Sequence, residues 1–126
     1  MEKASVLVVD DEALIRMATM DIMEDAGYSV VEAANADEAI IMLECCPNIA
    51  AVLTDINMPG SMDGLRLARH VRDRWPPIKI MVTSGHHLVQ NGDLPEGGVF
   101  LPKPYTDAAI IAAISQFDDG RVLALR

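Results

Sequence analysis

Residues 50–60 have the sequence AAVLTDINMPG, an apolar run that leads to one acid, Asp55, and stops at a proline and a glycine. Such a run is typical of a strand that is buried on both faces, and Pro59-Gly60 ends it. Asp55 is therefore predicted to lie at the carboxyl end of a central strand. In an open parallel sheet, ligands bind at that end, because the loops diverge there and helix amino-termini face the crevice.

The size and charge of the chain limit what it can be. Its 126 residues, 51% of them hydrophobic, suit one compact domain with a buried core. A net charge of -9 repels nucleic-acid phosphate and anionic lipid, so we expect no direct nucleic-acid or membrane partner. The sequence contains neither a signal-peptide pattern nor an uninterrupted apolar stretch of about 18 residues, and we expect a cytoplasmic protein. We expect a single domain over residues 1–126, with a core of about 5–117 and a tail at 118–126.

The two cysteines of the chain, Cys45 and Cys46, are adjacent. Neighbouring cysteines cannot easily bridge each other, so a disulfide framework is not expected. The sequence predicts a reduced pair with no assigned role.

Strand and helix patterns alternate along the whole chain. The predicted strands are 5–9, 28–33, 50–55, 78–83 and 99–101, and the predicted helices are 13–26, 36–44, about 64–74, and a last one that starts near Thr106 and reaches Phe117. This alternation predicts right-handed crossovers and a parallel sheet covered on both faces. The second strand is the most polar and is expected at an edge. We predict a doubly wound, flavodoxin-like α/β fold with strand order 2-1-3-4-5.

The first predicted helix follows three acids at positions 10–12. Acids in a first helical turn suit the helix dipole, and this ordinary interpretation of Asp10 and Asp11 stands beside a functional one. The apolar positions of the helix recur at helical spacing and are expected to face the core: Ile15, Ala18, Ile22 and Ala26.

In the predicted strand order, the first and third strands are neighbours, so Asp10, Asp11 and Asp55 should converge in one crevice. Three carboxylates repel one another unless a cation compensates. An oxygen-only site with few protein ligands suits Mg²⁺. Lys103, which follows the fifth strand, supplies a second cation that can balance Asp55 and later hold a phosphoryl oxygen. This assembly fits phosphoryl transfer to Asp55 as the nucleophile.

Three motifs of the chain carry a resemblance to a known family: VVDDE at 8–12, TDINMPG at 54–60 with MDG at 62–64, and FLPKPY at 100–105. With these motifs in order, the chain resembles the receiver domain of two-component response regulators from Val6 to about Phe117. The resemblance implies that Asp55 accepts a phosphoryl group from a histidine kinase or a histidine phosphotransferase.

The resemblance also implies roles for other residues of this sequence. Asp10, Asp11 and the main-chain carbonyl of Asn57 would surround Mg²⁺ together with Asp55. The Lys103–Pro104 bond would be cis, for which proline is the permissive residue. Phe100 matches the aromatic switch of the family, which turns inward when a strand-end hydroxyl moves toward the phosphate.

The chain departs from the family pattern at three places. Ser61 lengthens the loop beside the acceptor. The switch hydroxyl has two candidates, Thr83 and Ser84, which point to opposite faces of a strand; counting from Gly64 favours Ser84, with Thr83 as the alternative. The stretch 85–98 is short and rich in glycine and proline, which predicts an irregular or shortened fourth helix on the usual output surface of the family.

Two other function classes compete with this one. A haloacid-dehalogenase-like phosphatase needs a second acid two residues after the nucleophile, and this chain has Asn57 there. We therefore expect no turnover enzyme, only phosphorylation from a donor and slow self-dephosphorylation. The other class is a phosphorylation-independent interaction module. His86 and His87 are expected to be solvated loop residues and not metal ligands. The output is expected to lie in another protein or in an effector domain missing from this chain.

Overall fold

The computed structural model of the protein describes residues 5–58, 62–85 and 93–115. Within these ranges the elements, in chain order, are β1 (Ser5–Val9), α1 (Ala13–Asp25), β2 (Ser29–Ala33), α2 (Ala36–Cys45), β3 (Ile49–Asp55), α3 (Gly64–Arg74), β4 (Lys79–Ser84), β5 (Val99–Pro102) and α4 (Asp107–Ser115). All five strands are parallel, in the order β2-β1-β3-β4-β5. The predicted fold class and strand order are confirmed.

Side chains alternate between the two faces of the sheet, and each face has its own core. In β1, Leu7 and Val9 join the cluster that α2 and α3 cover, and Val6 and Val8 join the cluster that α1 and α4 cover. Every residue of β1 is buried. The central strands are mostly apolar because both of their faces are covered. Strand β2 lies at the edge, as its polarity predicts, and it exposes Glu32.

Side-chain caps fix where two helices begin, as the sequence predicts. Asn35 accepts a hydrogen bond of 2.9 Å from the backbone N–H of Glu38, and the carboxylate of Glu38 accepts one from the N–H of Ala34. The hydroxyl of Thr106 accepts a 3.1 Å hydrogen bond from the N–H of Ala109 at the start of α4.

The inward face of α1 differs from the predicted one. The buried residues of the helix are Thr19 and Met23, whereas Ala18 is exposed. Ile22 and Ala26 pack against the core as predicted, but Ala18 does not. Thr19 lies inward because its hydroxyl shares a 2.8 Å hydrogen bond with the Tyr105 hydroxyl. The helix also begins after the three acids and has no acid in its first turn, so the ordinary interpretation of Asp10 and Asp11 as first-turn residues is wrong.

The connection between β4 and β5 contains no α-helix in its described part, residues 93–98. Two arginines of α3 hold this segment by its backbone. Arg69 donates to the carbonyl of Asp93 at 3.1 Å, and Arg72 donates to the carbonyl of Glu96 at 2.9 Å.

Several predicted features fall outside the described residues: the Pro59-Gly60 break, Ser61, His86, His87, Phe117 and the tail at 118–126. None of the helices in the described ranges has the length and apolar character needed to span a bilayer.

Candidate functional site

The carboxyl ends of β1 and β3 bring three carboxylates together. Val9 pairs with Thr54 across the two strands, so Asp10 and Asp55 each follow that pair by one residue. Carboxylate oxygens of Asp10, Asp11 and Asp55 all lie within 4.8 Å of one another. Asp10 and Asp55 are only 3% and 4% exposed, whereas Asp11 is exposed. The predicted convergence of these acids is present in the structure.

Asp10 is held in place through its backbone and its side chain. Its Oδ1 accepts a 2.9 Å hydrogen bond from the N–H of Glu12, and its own N–H donates to the carbonyl of Ala33. Its carbonyl accepts a 2.7 Å hydrogen bond from Arg16 Nη1, while Arg16 Nε forms an ion pair of 2.8 Å with Glu32. Sequence reasoning missed Arg16, because only the fold shows that α1 places it over the end of β1.

Lys103 lies between the two buried acids. Its Nζ is 3.1 Å from Asp10 Oδ2 and 3.6 Å from Asp55 Oδ2. The lysine immediately follows β5, its backbone N–H donates to the carbonyl of Ser84 at 3.0 Å, and the Lys103–Pro104 peptide bond is cis. The ammonium group therefore compensates Asp10 more closely than Asp55.

The electrostatics of the crevice follow from burial and from the excess of acids. Burial raises the pKa of Asp55, and the charges of Asp10 and Asp11 raise it further, while Lys103 and the N–H of Asn57 act in the opposite direction. Burial alone would lower the pKa of Lys103, but its hydrogen bond to Asp10 and the charges of Asp10 and Asp55 raise it overall. Lys103 is thus held in its charged form.

The donor set of the crevice fits a hard divalent cation. Three carboxylates and one ammonium group leave two uncompensated negative charges when all are ionised, and every ligating atom is an oxygen. Magnesium takes few protein carboxylates and shares its other positions with water and phosphate. The exposed Asp11 leaves one side of the cluster open to solvent.

The two candidate switch hydroxyls lie in different surroundings. Ser84 Oγ accepts a hydrogen bond of 3.3 Å from Asn57 Nδ2, on the loop that follows Asp55. The hydroxyl of Thr83 is buried and has no hydrogen-bond partner among residues 5–58, 62–85 and 93–115. Because side chains alternate along β4, Ser84 shares a sheet face with Val82, and Thr83 lies on the other face.

Phe100 lies on the same sheet face as Ser84. It pairs with Val82 across β4 and β5, is half-buried, and packs against the core cluster that contains Val82. The structure therefore brings together, at the carboxyl ends of the strands, Asp10, Asp11, Asp55, Asn57, Lys103 and Ser84. Phe100 lies two residues before the end of β5.

Gly64 is a further residue of the site whose role the sequence did not reveal. Its N–H donates to the carbonyl of Ile56 at 2.9 Å. A Cβ atom at this position would lie 1.9 Å from the carbonyl oxygen of Asp55. The MDG triplet at 62–64 was a visible signal, but only the fold shows which backbone the glycine contacts.

This fold, with acids gathered at the carboxyl ends of β1 and β3, is that of a receiver domain, and the comparison with known families agrees. The profile of the response regulator receiver domain family matches residues 6–115. The chain belongs to this family, and it is a receiver domain of two-component systems. The family is one of signalling switches, and the predicted alternative of a phosphorylation-independent module is not favoured.

Named relatives and solved structures place the chain among receivers. It is 37% identical over 107 residues to the sensor kinase CckA of Brucella abortus, and the aligned region covers 82% of this chain and 11% of CckA. It is 30% identical over 122 residues to the transcriptional regulatory protein FixJ of Bradyrhizobium diazoefficiens, covering 89% of this chain and 55% of FixJ. A response regulator receiver protein from Sinorhizobium medicae has a TM-score of 0.86 at 32% identity and covers 96% of this chain and 98% of its own.

Proposed function

We propose that Asp55 accepts a phosphoryl group from a histidine kinase or a histidine phosphotransferase, in the presence of Mg²⁺. The observation that carries the proposal is the cluster of three carboxylates within 4.8 Å, two of which share Lys103. Asp10, Asp11 and Asp55, with the main-chain carbonyl of Asn57, would hold the ion. The chemistry that Mg²⁺ supplies when bound is neutralisation of charge on the phosphoryl oxygens.

Asp55 acts as the nucleophile in this proposal. One of its carboxylate oxygens forms a bond to phosphorus while the bond between phosphorus and the histidine nitrogen of the donor breaks, and that nitrogen keeps the electron pair. Asp55 must be ionised to attack. The ammonium group of Lys103, 3.6 Å away, favours that form against the effects of burial and of the neighbouring acids. After transfer, Lys103 is placed to bind a phosphoryl oxygen.

Phosphorylation then acts as a switch. The new phosphoryl group offers acceptor oxygens at the end of β3, and the Ser84 hydroxyl leaves Asn57 to donate to one of them. Ser84 is favoured over Thr83 because it contacts the loop after Asp55 and shares its sheet face with Phe100. Movement of Ser84 opens space on that face, and Phe100 turns inward to fill it. This rearrangement shifts a pre-existing equilibrium between two conformations of the surface formed by β5 and α4.

The proposed chemistry ends with hydrolysis. Water attacks the acyl phosphate at phosphorus, which returns the Asp55 carboxylate and releases inorganic phosphate. We propose that this occurs slowly and that the protein has no further catalytic turnover.

The proposed partners are a histidine kinase or phosphotransferase on the input side and an output protein or effector domain on the other. The named relatives support this arrangement, since one is called a sensor kinase and the other a transcriptional regulatory protein. We place these events in the cytoplasm.

A beryllofluoride titration followed by NMR tests the proposed site, because beryllofluoride mimics an aspartyl phosphate. We expect amide shifts at Ser84 and Phe100 that require Mg²⁺, are lost in Asp55→Asn and persist in Asp73→Asn, which changes an exposed acid outside the crevice. Shifts that persist in Asp55→Asn, or that do not need Mg²⁺, would contradict the proposal.

A further inference from the structure

Two thiols meet at the carboxyl end of α2. The sulfur atoms of Cys45 and Cys46 lie 3.3 Å apart. Cys45 is exposed, Cys46 is half-buried, and neither is in a disulfide. The sequence predicted a pair without a role, but the distance shows that both sulfurs lie on the same side of the chain, and Cys45 is exposed to solvent.

The residue that follows the pair explains this geometry. In a regular α-helix, adjacent side chains are rotated by about 100° and diverge. Here Cys45 is the last residue of α2, and Cys46 leaves the helical conformation, with φ -124° and ψ 86°. Pro47 accounts for that change, because a residue before proline is disfavoured in the helical region. The sequence Cys-Cys-Pro thus brings the two sulfurs together by itself.

A direct bond between the sulfurs fits this geometry poorly. Adjacent Cα atoms are about 3.8 Å apart. Disulfides usually join Cα atoms about 4.4–6.8 Å apart, and the sulfurs would have to approach to about 2.05 Å. The pair is therefore better suited to a single atom that bonds to both sulfurs.

The sulfur separation selects the kind of atom. With bonds of about 2.3 Å, as for zinc and thiolate, two sulfurs separated by 3.3 Å subtend about 90° at the bridging atom. A linear two-coordinate ion cannot adopt that angle. Zinc prefers a wider tetrahedral angle and needs further ligands, and the only cluster of three or more potential metal ligands in the described ranges is that of Asp10, Asp11 and Asp55. A three-coordinate pyramidal centre, whose bond angles are close to a right angle, fits.

We propose that Cys45 and Cys46 form a chelating site for trivalent arsenic compounds. An organoarsenic(III) oxide binds by forming two sulfur–arsenic bonds, and its oxygen leaves as water with both thiol protons. The arsenic remains trivalent, so no oxidant or reductant is consumed.

The dithiol site lies near the amino end of β3, and Asp55 lies at the carboxyl end of that strand. The N–H of Ile49, the first residue of β3, donates to the carbonyl of Cys46 at 3.2 Å, and Asp55 is the last residue of that strand. Six residue steps of strand separate these ends by about 20 Å. Arsenic binding and phosphoryl transfer are thus separate properties of the chain.

The test uses the full chain and phenylarsine oxide, with intact mass recorded under native conditions. We expect one adduct per chain that resists excess monothiol and is removed by ethanedithiol. Cys45→Ser and Cys46→Ser should each lose it, while Ile41→Ser, an exposed change on the same helix, and Asp55→Asn should keep it. A monothiol-resistant adduct on either cysteine variant would overturn chelation by the pair.

The Pro47→Ala variant tests the geometric cause. Without proline, α2 can continue through Cys46, and the sulfurs should separate. We expect the affinity for phenylarsine oxide to fall by about tenfold, because the thiols must then be brought together at binding. Unchanged affinity in Pro47→Ala would overturn the argument that the fold pre-organises the site.

Discussion

The backbone of Asp55 and the Cα of Gly64 are in direct contact, with room for a hydrogen atom but not for a side chain. A Cβ at position 64 would lie 1.9 Å from the Asp55 carbonyl oxygen and 2.8 Å from the Cα of Ile56. Because these neighbours are backbone atoms, they cannot move aside without moving the strand that carries Asp55. The first residue of α3, Gly64, therefore fixes the position of Asp55 by packing against its backbone.

The first prediction concerns this contact. Gly64→Ala should lower the free energy of unfolding by about 2 kcal/mol, because the added methyl group displaces the end of β3. It should also slow phosphorylation of Asp55. Urea unfolding measures the first effect and mass spectrometry the second. Gly85→Ala is the control for stability, since among the described residues its Cβ would meet only the side chain of Lys103, at an ordinary 3.6 Å. An equal loss in both variants would refute the argument.

The second prediction concerns the charge of Asp55. Its folded-state pKa is raised, so the fold disfavours the ionised form, and its contribution to stability decreases as pH rises from the unfolded value of 3.8 through the folded value. Asp55→Asn should therefore be more stable than wild type at pH 7, by about 1 kcal/mol. This gain should shrink as pH falls toward 3.8. Urea unfolding across that range, with Asp73→Asn as control, checks the sign; a variant less stable at pH 7 would contradict it.

The third prediction concerns Lys103. Lys103→Met removes the compensating charge from Asp10 and Asp55 and should lower the free energy of unfolding at pH 7 by about 2 kcal/mol. It should also raise the pKa of Asp55 further, because Lys103 is the main group that lowers it. Carbon-detected NMR titration of the Asp55 carboxyl group measures this shift. Lys79→Met, at the start of β4, is the matched control and should leave the Asp55 titration unchanged.

The fourth prediction separates the two candidate hydroxyls. Thr83→Val should keep or slightly raise stability, by up to about 1 kcal/mol, because it removes a buried hydroxyl that has no partner in the part of the chain that the structure describes. It should leave the beryllofluoride response at Phe100 intact. Ser84→Ala should abolish that response while leaving phosphorylation of Asp55 possible. The reverse pattern in NMR spectra would assign the switch to Thr83.

The fifth prediction concerns the connection between β4 and β5. Arg72 donates to the carbonyl of Glu96 and to those of Pro76 and Ile78, so one side chain joins two backbone segments, the β4–β5 connection and the α3–β4 connection. Arg72→Met should destabilise the protein by about 1–2 kcal/mol and speed amide exchange at 93–98. Arg66→Met, an exposed change on the same helix, should do neither. Unchanged exchange in Arg72→Met would show that the arginine does not hold the segment.

Much of the fold could be predicted because local signals and the sheet agreed. The apolar strands fixed the sheet, the polar β2 marked its edge, and Asn35 and Thr106 capped helices where expected. The order of the strands then brought Asp10, Asp11 and Asp55 together by topology alone. The sequence failed where a tertiary contact decides the outcome.

Thr19 and Gly64 show the limits of sequence reasoning. Thr19 lies inward because Tyr105, 86 positions later, satisfies its hydroxyl, and no local pattern contains that partner. Gly64 was recognised as part of a motif, but its contact with the Asp55 backbone depends on how α3 packs against β3. The contact between the sulfurs of Cys45 and Cys46 depends on the non-helical backbone of Cys46. Pro47 indicates that change of backbone, but conformational propensity alone does not predict the distance between the sulfurs.

The most direct test of the central claim is the intact mass of the protein after incubation with acetyl phosphate, with and without Mg²⁺. The account predicts a gain of one phosphoryl group that requires Mg²⁺, occurs in wild type and Asp73→Asn, and is absent in Asp55→Asn. A gain that persists in Asp55→Asn, or no gain where another receiver is labelled under the same conditions, would contradict it.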